Sequence, residues 1–405
     1  MEVMSESTTS LAVLPAGWER LELSEFAEKS PRKFYPNTAP EQSVCVELEH
    51  VSQVTGQLIG TTQTTSQFST KNAFAEGEVI FGKLRPYLRK YLRPKFDGVC
   101  SSEFWVLRGK PKKCSNEFLF YLVQSEPFVQ ACAKTTGSKM PRADWDLVQE
   151  QPFLLPPKTE QQRIAAILSA CDRAIEGTGL LLKKQEERKL AVMQQFLSEE
   201  GINRQDWTHP LLKDILTEAK LGGNYENTSV DNGLPVVKMG NIGRGQIRTD
   251  KVEYLSIRAE ADAADYLQEG DLLFNTRNTL DLVGKVAVWR NELPQAVYNS
   301  NLMRMKFDPV QVSSTYFMNY VFNSQHGIKQ LRRIATGTTS VAAIYSRDLM
   351  MLKINLPPKG IQQKITAVLS LFDDEISLLR KQHTLLQNQK KGLMQRLLTG
   401  QALIK

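Results

Sequence analysis

The segment that decides the fold is LPPKTEQQRIAAILSACDRAIEG, which begins at Leu155 and returns as LPPKGIQQKITAVLSLFDDEISL from Leu356. The offset of 201 residues (356 − 155) holds without a gap to Ser198 and Thr399. A proline cannot lie inside a helix, so each Pro-Pro pair ends an extended segment and a helix follows it. The chain is therefore predicted to be a tandem repeat in which each copy ends in a long helix.

Both helical segments carry apolar residues at alternating steps of four and three, the heptad pattern of a coiled coil. Thr159 or Gly360 is expected to cap a helix that begins at the paired glutamines. Roughly 40 residues at 1.5 Å each give a rod of about 60 Å. The positions predicted to form the helix pair and a docking surface for other subunits are Gln161, Gln162, Ile164, Leu168, Ile175 and Leu182, with Gln362, Gln363, Ile365, Leu369, Ile376 and Leu379.

Polar residues also fall at repeated places on these helices. Lys189 and Lys390 interrupt the apolar seam at the same repeat position (390 − 189 = 201). A polar residue at such a position costs stability but can fix the register of the two helices. The acidic run of residues 373–375 is interpreted as a solvated helix face.

Composition places the chain among ordinary globular proteins. It has 405 residues, with 51 basic against 44 acidic ones, a formal net charge of +7 and a pI near 9.0. This mild basic excess is weak evidence for a polyanionic partner. Five cysteines without a CxxC pair and four scattered histidines argue against a zinc site. Since no apolar run approaches 18 residues, the expected location is the cytoplasm, away from any membrane.

The two regions that precede the helices resemble each other faintly. EGEVIFGKLR from Glu76 matches EGDLLFNTRN from Glu269, and TTGSKMPRADW from Thr135 matches ATGTTSVAAIY from Ala335. YLVQSEPF and YVFNSQHG each suggest one short helix. Short strands mixed with short helices predict α+β domains. The predicted organisation is a domain over residues 1–154, a helix over 155–200, a second domain over 201–355 and a second helix over 356–405.

Two long helices of equal length are expected to pack on each other as a coiled coil. If they pack antiparallel, the two domains are related by a pseudo-two-fold axis and lie toward opposite ends. Duplex DNA has local two-fold axes between its strands, so such a protein could present two readers to two half-sites in opposite orientation. The readers differ in sequence, and the half-sites would therefore differ too.

Six cations interleaved with aromatic residues occupy FGKLRPYLRKYLRPKF, residues 81–96, without an acid until Asp97. That density is typical of a strip that follows DNA phosphates, although a solvated basic surface remains the alternative. The glycine-hinged loop that begins at Thr135 is the second candidate DNA contact. The predicted DNA-binding residues of this domain are Lys83, Arg85, Arg89, Lys90, Arg93, Lys95, Lys139 and Arg142.

The second domain spreads its candidates over three segments: the loop VKMGNIGRGQIR, the residues after the strand LLF, and the loop that begins at Ala335. The glycine-rich loop lacks the Lys-Ser/Thr ending of a phosphate-binding P-loop and the spacing of a dinucleotide fingerprint, so it is interpreted as a turn with basic tips. The predicted DNA-binding residues here are Lys238, Asn241, Arg244, Arg248, Arg277, Asn278, Thr338 and Ser340.

Motifs for catalysis are missing from the sequence. It contains no Walker A, HExxH or GxSxG pattern. The Pro-Pro pairs follow leucine, whereas adenine methyltransferases place Asn or Asp there to hold a flipped base. No catalytic residue and no metal site are therefore predicted.

The duplicated LPPK-x-x-QQ-[RK]-I element, with a variable domain before each copy, resembles the specificity subunit of type I restriction–modification systems. The resemblance covers nearly the whole chain. It departs at one position, because the first copy has the family's Glu160 before Gln161 whereas the second has Ile361. The fine contacts at the two docking sites are therefore expected to differ.

The resemblance implies two target-recognition domains, each reading half of a split target in double-stranded DNA through the major groove. It implies that the antiparallel helices set the spacing and dock two modification subunits, which methylate adenine, and that motor-nuclease restriction subunits join. S-adenosylmethionine, ATP and Mg²⁺ would then be bound by those partners and not by this chain.

Two other functions stay open on the sequence alone. One is a coiled-coil interaction scaffold that does not bind DNA. The other is a self-contained methyltransferase-nuclease, against which the missing motifs argue.

Overall fold

The computed structural model describes residues 14–38, 42–134, 140–198, 206–231, 233–338 and 340–402. The chain divides into two compact units by its internal contacts. The first unit consists of Met1–Gly179 and Lys381–Lys405, and the second of Leu180–Arg380. The boundary lies inside both long helices, so each unit contains one globular part and half of each helix.

The first unit contains short strands, short helices and the start of the first long helix. Its strands are β1 (Glu19–Glu22), β2 (Ala27–Lys29), β3 (Lys33–Phe34), β4 (Val44–Val46), β5 (Thr62–Gln63), β6 (Lys71–Phe74), β7 (Val79–Gly82), β8 (Tyr91–Leu92), β9 (Gly98–Cys100), β10 (Phe104–Gly109) and β11 (Pro152–Leu155). Its helices are α1 (Leu23–Phe26), α2 (Asn116–Leu122), α3 (Glu126–Ala133), α4 (Trp145–Gln149) and α5 (Lys158–Leu197), which continues into the second unit.

The second unit is also built from short strands and helices. Its strands are β12 (Leu216–Leu221), β13 (Asn227–Thr228), β14 (Pro235–Val237), β15 (Glu253–Leu255), β16 (Leu272–Asn275), β17 (Arg277–Asn278), β18 (Val286–Val288), β19 (Val297–Tyr298), β20 (Leu302–Phe307), β21 (Thr336–Gly337) and β22 (Ala342–Ala343). Its helices are α6 (Thr315–Asn323), α7 (Gln325–Ile334), α8 (Ser346–Met350) and α9 (Lys359–Leu398), which continues into the first unit.

The main sheets of the two units have the same strand order. The four-stranded antiparallel sheet β2-β10-β7-β8 of the first unit corresponds to β12-β20-β16-β18 of the second. The second sheets are β3-β6-β9-β4-β5 and β13-β15-β14-β19, and each holds one parallel pair, β4 with β9 and β14 with β19. Both units are therefore α+β folds with a shared topology, which confirms the predicted fold class and the internal repeat.

Aromatic side chains join the main sheet of each unit to the helices beside it. In the first unit, Phe81 on β7 stacks on Trp105 with ring centroids 6.1 Å apart and meets Phe128 of α3 edge-on at 5.1 Å. In the second, Phe274 on β16 lies 6.2 Å from Phe322 of α6. These ring contacts pack β7 against α3 and β16 against α6.

Both long helices begin earlier than the sequence indicated. The N–H groups of Glu160 and Gln161 both donate to the carbonyl oxygen of Pro157 at 2.9 Å, so the second proline supplies the first acceptor and Lys158 is already helical. The predicted start at the glutamines, after a cap at Thr159 or Gly360, is therefore wrong by about one turn. Each helix then runs for 40 residues without a break.

The heptad seam is confirmed, because the seam positions predicted on both helices are buried or half-buried. Within the first unit, Lys390 of α9 pairs with Asp172 of α5 at 2.6 Å. Within the second, Lys189 pairs with Asp373 at 2.5 Å and Gln185 donates to Glu375 at 2.7 Å. In the second unit the partner numbers fall from 189 to 185 on α5 as they rise from 373 to 375 on α9, so the two half-helices pack antiparallel there.

One predicted short helix in each globular part is two helices. Ser125 and Ser324 fall in the middle of the predicted segments, and each begins a new helix as its N-cap. The hydroxyl oxygen of Ser125 accepts the Phe128 N–H at 3.4 Å, and that of Ser324 accepts the Gly327 N–H at 3.0 Å. The serine stops the first helix because its side chain offers the backbone a cap in place of another helical turn.

Candidate nucleic-acid interface

The basic segment after β7 is bonded to the polar loop that precedes α4. The Ala143 N–H donates to the Lys83 carbonyl at 2.9 Å, and the Arg85 N–H donates to the Pro141 carbonyl at 2.8 Å. Leu84 and Arg142 face each other across these bonds as an isolated bridge. The structure thus brings together two stretches that the sequence only suggested separately.

A tight turn between Arg85 and Arg89 raises part of this segment into solvent. Both arginines have left-handed backbone angles, with φ of 50° and 51°, which is uncommon for residues other than glycine. The turn between them leaves Tyr87 55% exposed. Backbone strain of this kind is found at binding sites, where surrounding structure maintains it.

Some of the six cations of the strip are bonded within the protein and others are not. Arg89 pairs with Glu126, Arg93 pairs with Glu117 at 2.5 Å, and the Lys90 ammonium donates to the Leu48 carbonyl at 2.5 Å. Arg142, in the adjoining loop, pairs with Glu103 at 3.0 Å. In the part of the chain that the structure describes, the cations of the strip without an ion pair are Lys83, Arg85, Lys90 and Lys95, and of these Lys90 is held by its hydrogen bond to the Leu48 carbonyl.

The second unit repeats this arrangement with different side chains. The Ile344 N–H donates to the Thr276 carbonyl at 2.9 Å, which matches the bond from Ala143 to Lys83 in the first unit. Strands β17, β22 and β21 then form a small sheet that holds Arg277 and Asn278 beside the polar loop. In that loop the Thr338 and Ser340 side chains are exposed. Lys139, the predicted contact in the equivalent loop of the first unit, lies outside the described residues.

The glycine-rich loop of the second unit is stabilised by its own asparagine. Asn241 is buried, and its amide donates to the carbonyl oxygens of Arg248 and Lys251 at 3.0 and 2.9 Å. Its Oδ1 accepts the Lys238 N–H at 2.9 Å. The DNA-binding role predicted for Asn241 is therefore corrected to a structural one, because its buried amide is used within the chain. The Lys238 ammonium pairs with Glu253 at 2.9 Å.

The first glutamine of each pair is also buried and bonds to backbone groups of its own unit. Gln161 and Gln362 are 1% and 0% exposed. Gln161 donates to the carbonyls of Lys113 and Pro156 at 2.7 and 2.9 Å and accepts the Ser115 N–H at 3.1 Å. Gln362 makes the same three kinds of bond at the equivalent places. The docking role predicted for these two residues is corrected, since they join each helix to its own globular part; the exposed Gln162 and Gln363 stay as docking candidates.

The seam lysines belong to a repeated three-residue group that the sequence reasoning missed. In the second unit, Asp373 accepts from the Tyr320 hydroxyl at 2.6 Å and pairs with Lys189, whose ammonium lies 5.3 Å from the Tyr320 ring centroid. Burial, and then the neighbouring carboxylate, raise the pKa of Tyr320. Asp373 is therefore a cross-helix partner, which corrects its interpretation as a solvated residue.

The first unit contains the same group in Tyr121, Asp172 and Lys390. Asp172 and Asp373 are equivalent positions of the 201-residue repeat (373 − 172 = 201). The sequence contained a signal for this group, because Asp and Lys both recur at equivalent positions in the two copies of the repeat.

Neither a metal centre nor a membrane segment is found in the described residues. They contain no group of three or more His, Cys, Asp or Glu side chains placed to hold a metal ion. Among the helices described, none combines the length and the apolar character needed to cross a bilayer.

Comparisons with known proteins identify the family. The MjaX type I restriction enzyme specificity subunit of Methanocaldococcus jannaschii is 28% identical over 218 residues, 52% of this chain and 51% of that protein, so the chain aligns with about half of this relative's length. The MjaVIII specificity subunit of the same organism is 25% identical over 81% of this chain and 77% of its own length.

A solved structure shares the fold across the chain. The crystal structure of the S subunit of a type I restriction–modification system from M. genitalium superposes with a TM-score of 0.59 at 11% identity, covering 99% of this chain and 100% of that one. The family model described as "Type I restriction modification DNA specificity domain" matches residues 15–184 and 206–388. Two such matches cover most of the sequence, and this chain therefore belongs to the family of type I restriction–modification DNA specificity proteins.

Proposed function

We propose that this chain recognises a DNA target in two halves, one half for each unit, and directs the methylation and restriction subunits of a type I complex to it. One observation carries the proposal. In both units, the residues that follow the central strand of the main sheet are bonded to a polar loop, Lys83 to Ala143 and Thr276 to Ile344. Each pair of bonded segments, around Lys83 and Ala143 in the first unit and around Thr276 and Ile344 in the second, is called a frame. The two frames share their backbone arrangement but present different polar side chains.

The side chains on the two frames suit different bases. The first frame offers Arg85 and Lys83, and arginine or lysine pairs with the O6 and N7 acceptors of guanine. The second offers Arg277 with Asn278, and asparagine pairs with adenine. We therefore expect the two half-sites to differ in sequence.

As a member of this family, the chain is a specificity subunit and not itself an enzyme. We assign the bond-making steps to partner subunits, which would bind S-adenosylmethionine, ATP and Mg²⁺. Two modification subunits and the restriction subunits are the expected partners, together with double-stranded DNA. A complex that acts on the cell's own DNA is expected in the cytoplasm.

Apolar side chains on the outer face of α9 support a docking role for the long helices. In the second unit, Leu371 and Leu378 are seven residues apart and 69% and 66% exposed. Positions seven apart lie on one face of a helix, so these leucines form a stripe beside the buried seam. An exposed apolar stripe of this kind is typical of a protein–protein contact.

The docking role predicts a selective loss of assembly. Replacing Leu371 and Leu378 together by Asp should leave the chain folded, because both side chains already face solvent, but should abolish co-purification with the modification subunits. Leu369→Asp is the matched control: Leu369 is fully buried, so its replacement should unfold the second unit. Retained assembly in the Leu371/Leu378 variant would rule out this face as the docking surface.

DNA recognition is tested by band shifts at rising salt, using the chain assembled with its partners. Steep salt dependence and tighter binding to the target than to a scrambled duplex are expected, because contacts with phosphate release counterions. Lys83→Gln with Arg85→Gln should weaken target binding about tenfold or more, whereas Arg108→Gln should not, because Arg108 is already paired with Glu28. Binding that ignores both salt and sequence would favour a scaffold without DNA contact.

A further inference from the structure

Cations from three separate segments of the second unit lie together outside the frame just described. The Gly245 N–H donates to the Val286 carbonyl at 2.8 Å, which places the glycine-rich loop, with Arg244 and Arg248, beside Lys285. Lys285 directly precedes β18 and was not predicted from the sequence. These three residues, with Arg332 of α7, are called the basic cluster below.

Arg244 and Arg332 meet at a single loop residue. The Arg244 Nη2 donates to the backbone carbonyl of Asp281 at 3.3 Å, and the Arg332 Nη2 bonds to the Asp281 carboxylate at 3.2 Å. Arg332 also lines a shallow cavity of about 430 Å³ with Gln325, Ile328, Lys329 and Arg333. Two arginines therefore converge on Asp281, which is 87% exposed and forms an ion pair with Arg332.

The charges of the cluster are poorly compensated. The Arg244 Nη1 is shielded from solvent and has no hydrogen-bond partner in the described residues. In the same part of the chain, no carboxylate lies within ion-pair distance of Arg244, Arg248 or Lys285. Buried polar groups are almost always bonded, so an unpaired guanidinium nitrogen indicates a missing acceptor.

The electrostatics of the cluster agree with this geometry. Burial lowers the pKa of Lys285, and the charges of Arg248 and Arg244 lower it further. Burial also lowers the pKa of Arg244, with Arg332 adding to the effect. The cations therefore repel one another in the free chain, and a bound anion would relieve this repulsion.

The cluster adjoins the frame of the second unit through one buried residue. The Asn275 N–H donates to the Lys285 carbonyl at 2.9 Å, and the Asn275 Oδ1 accepts the Arg277 N–H at 3.1 Å. Arg277, to which the proposed function assigns a base contact, is therefore joined through Asn275 to Lys285 of the basic cluster. Contacts with phosphates position a protein on DNA, while contacts with base edges read the sequence.

We propose that the basic cluster binds a backbone phosphate of DNA next to the half-site that the second unit reads, with Arg244 as its central donor. This inference rests on the proposed function, and it separates two roles within the unit. Arg277 and Asn278 contribute to sequence choice, whereas Arg244, Arg248 and Lys285 contribute affinity that is the same for every sequence.

The test measures affinity against salt for the assembled complex, on a target duplex and on an unrelated duplex. For Arg244→Gln with Lys285→Gln, the slope of log K against log salt should become less steep by about one, as expected for the loss of one phosphate contact. Affinity at fixed salt should fall about tenfold for both duplexes, and their ratio should stay unchanged. The charge-conserving control, Arg244→Lys with Lys285→Arg, should keep the wild-type slope.

The outcomes separate this inference from the function on which it rests. A flat slope in the wild type contradicts DNA binding itself. A steep wild-type slope that the double Gln variant leaves unchanged overturns only the phosphate site, and so does a loss confined to the target duplex. Inorganic phosphate that raises the thermal midpoint of the wild type, with an unchanged DNA slope in the variant, would indicate a site for free phosphate and also overturns the proposal.

A measurement of thermal stability shows whether a smaller salt slope could result from misfolding of the variant. Lys285→Gln alone removes a half-buried charge from among like charges. The thermal midpoint of the free chain should therefore rise or stay the same while the salt slope falls. A lower midpoint with an unchanged slope would assign Lys285 a purely structural role and overturn the proposal.

Discussion

Asn241 donates two hydrogen bonds to backbone carbonyls and accepts one from a backbone N–H, all between residues 238 and 251. Asparagine can bond to adenine, so the sequence could not distinguish a residue that contacts a base from one that stabilises the loop. Burial decides between them, because a side chain with 6% exposure and three bonds to its own backbone holds the loop in shape. Arg244 and Arg248 are presented on that loop.

Asn241→Ala should destabilise the second unit by about 2–3 kcal/mol, because it removes three hydrogen bonds and leaves backbone groups unpaired. Urea denaturation followed by circular dichroism measures the change. Asn388→Ala is the control, since Asn388 is exposed on α9, and should change the stability by less than about 0.5 kcal/mol. Equal effects of the two substitutions would contradict the structural role of Asn241.

The pKa of Glu126 shows whether Arg89 forms its ion pair with this carboxylate. The hydrogen bond from Arg89 lowers the pKa of the Glu126 carboxyl against the opposing effect of burial. A lowered folded-state pKa means that the pair contributes stability above the unfolded pKa of about 4.3, and that this contribution is lost as the pH falls through the folded value. In an NMR titration, Arg89→Gln should return the Glu126 pKa to its ordinary range, whereas Arg85→Gln should leave it low. A Glu126 pKa that does not respond to Arg89→Gln would contradict the pairing.

At the scale of elements, the long helices were the most predictable part of the chain. Their apolar spacing persists over many heptads, so the seam positions could be assigned before any contact was known. Polar positions were less predictable, because exposure depends on what packs from outside the helix. Asp373 is covered by Tyr320 of α6 and Arg290, which pairs with it at 3.4 Å, and neither lies near it in sequence.

The cross-helix pairs should contribute more stability than exposed pairs on the same helix. A double-mutant cycle on Lys189 and Asp373, whose side chains are 18% and 19% exposed, should give a coupling energy of about 1–3 kcal/mol. The control cycle on Lys183 and Glu187, an exposed pair 3.9 Å apart, should give about 0.3–0.5 kcal/mol. Similar coupling energies in the two cycles would mean that the seam lysine does not fix the register.

The sheets could not be derived from the sequence. Many strands have only two to four residues, too few for a period-two pattern, and β1 pairs with β11 across more than a hundred residues of chain. The candidate frame depends on such pairing, since Lys83 reaches Ala143 and Thr276 reaches Ile344 only in three dimensions. The sequence therefore identified the basic and polar stretches but not their junction.

At the scale of the whole molecule, each unit combines both copies of the repeat. The first unit includes Lys381–Lys405 from the second copy, and the second includes Leu180–Ser198 from the first. The division predicted from the sequence, in which each domain is followed by its own complete helix, does not show that each unit contains part of both helices. Because both units share a topology but differ at Arg85 and Asn278, we expect their DNA preferences to be independent.

The most direct test of this account is selection of bound duplexes from a random library by the assembled complex, followed by sequencing. Two short specified blocks separated by a constant number of unspecified base pairs are predicted. Lys83→Gln with Arg85→Gln should relax one block and leave the other intact. A single continuous motif, no enriched sequence, or a change in both blocks would contradict the claim that each unit reads its own half of the target.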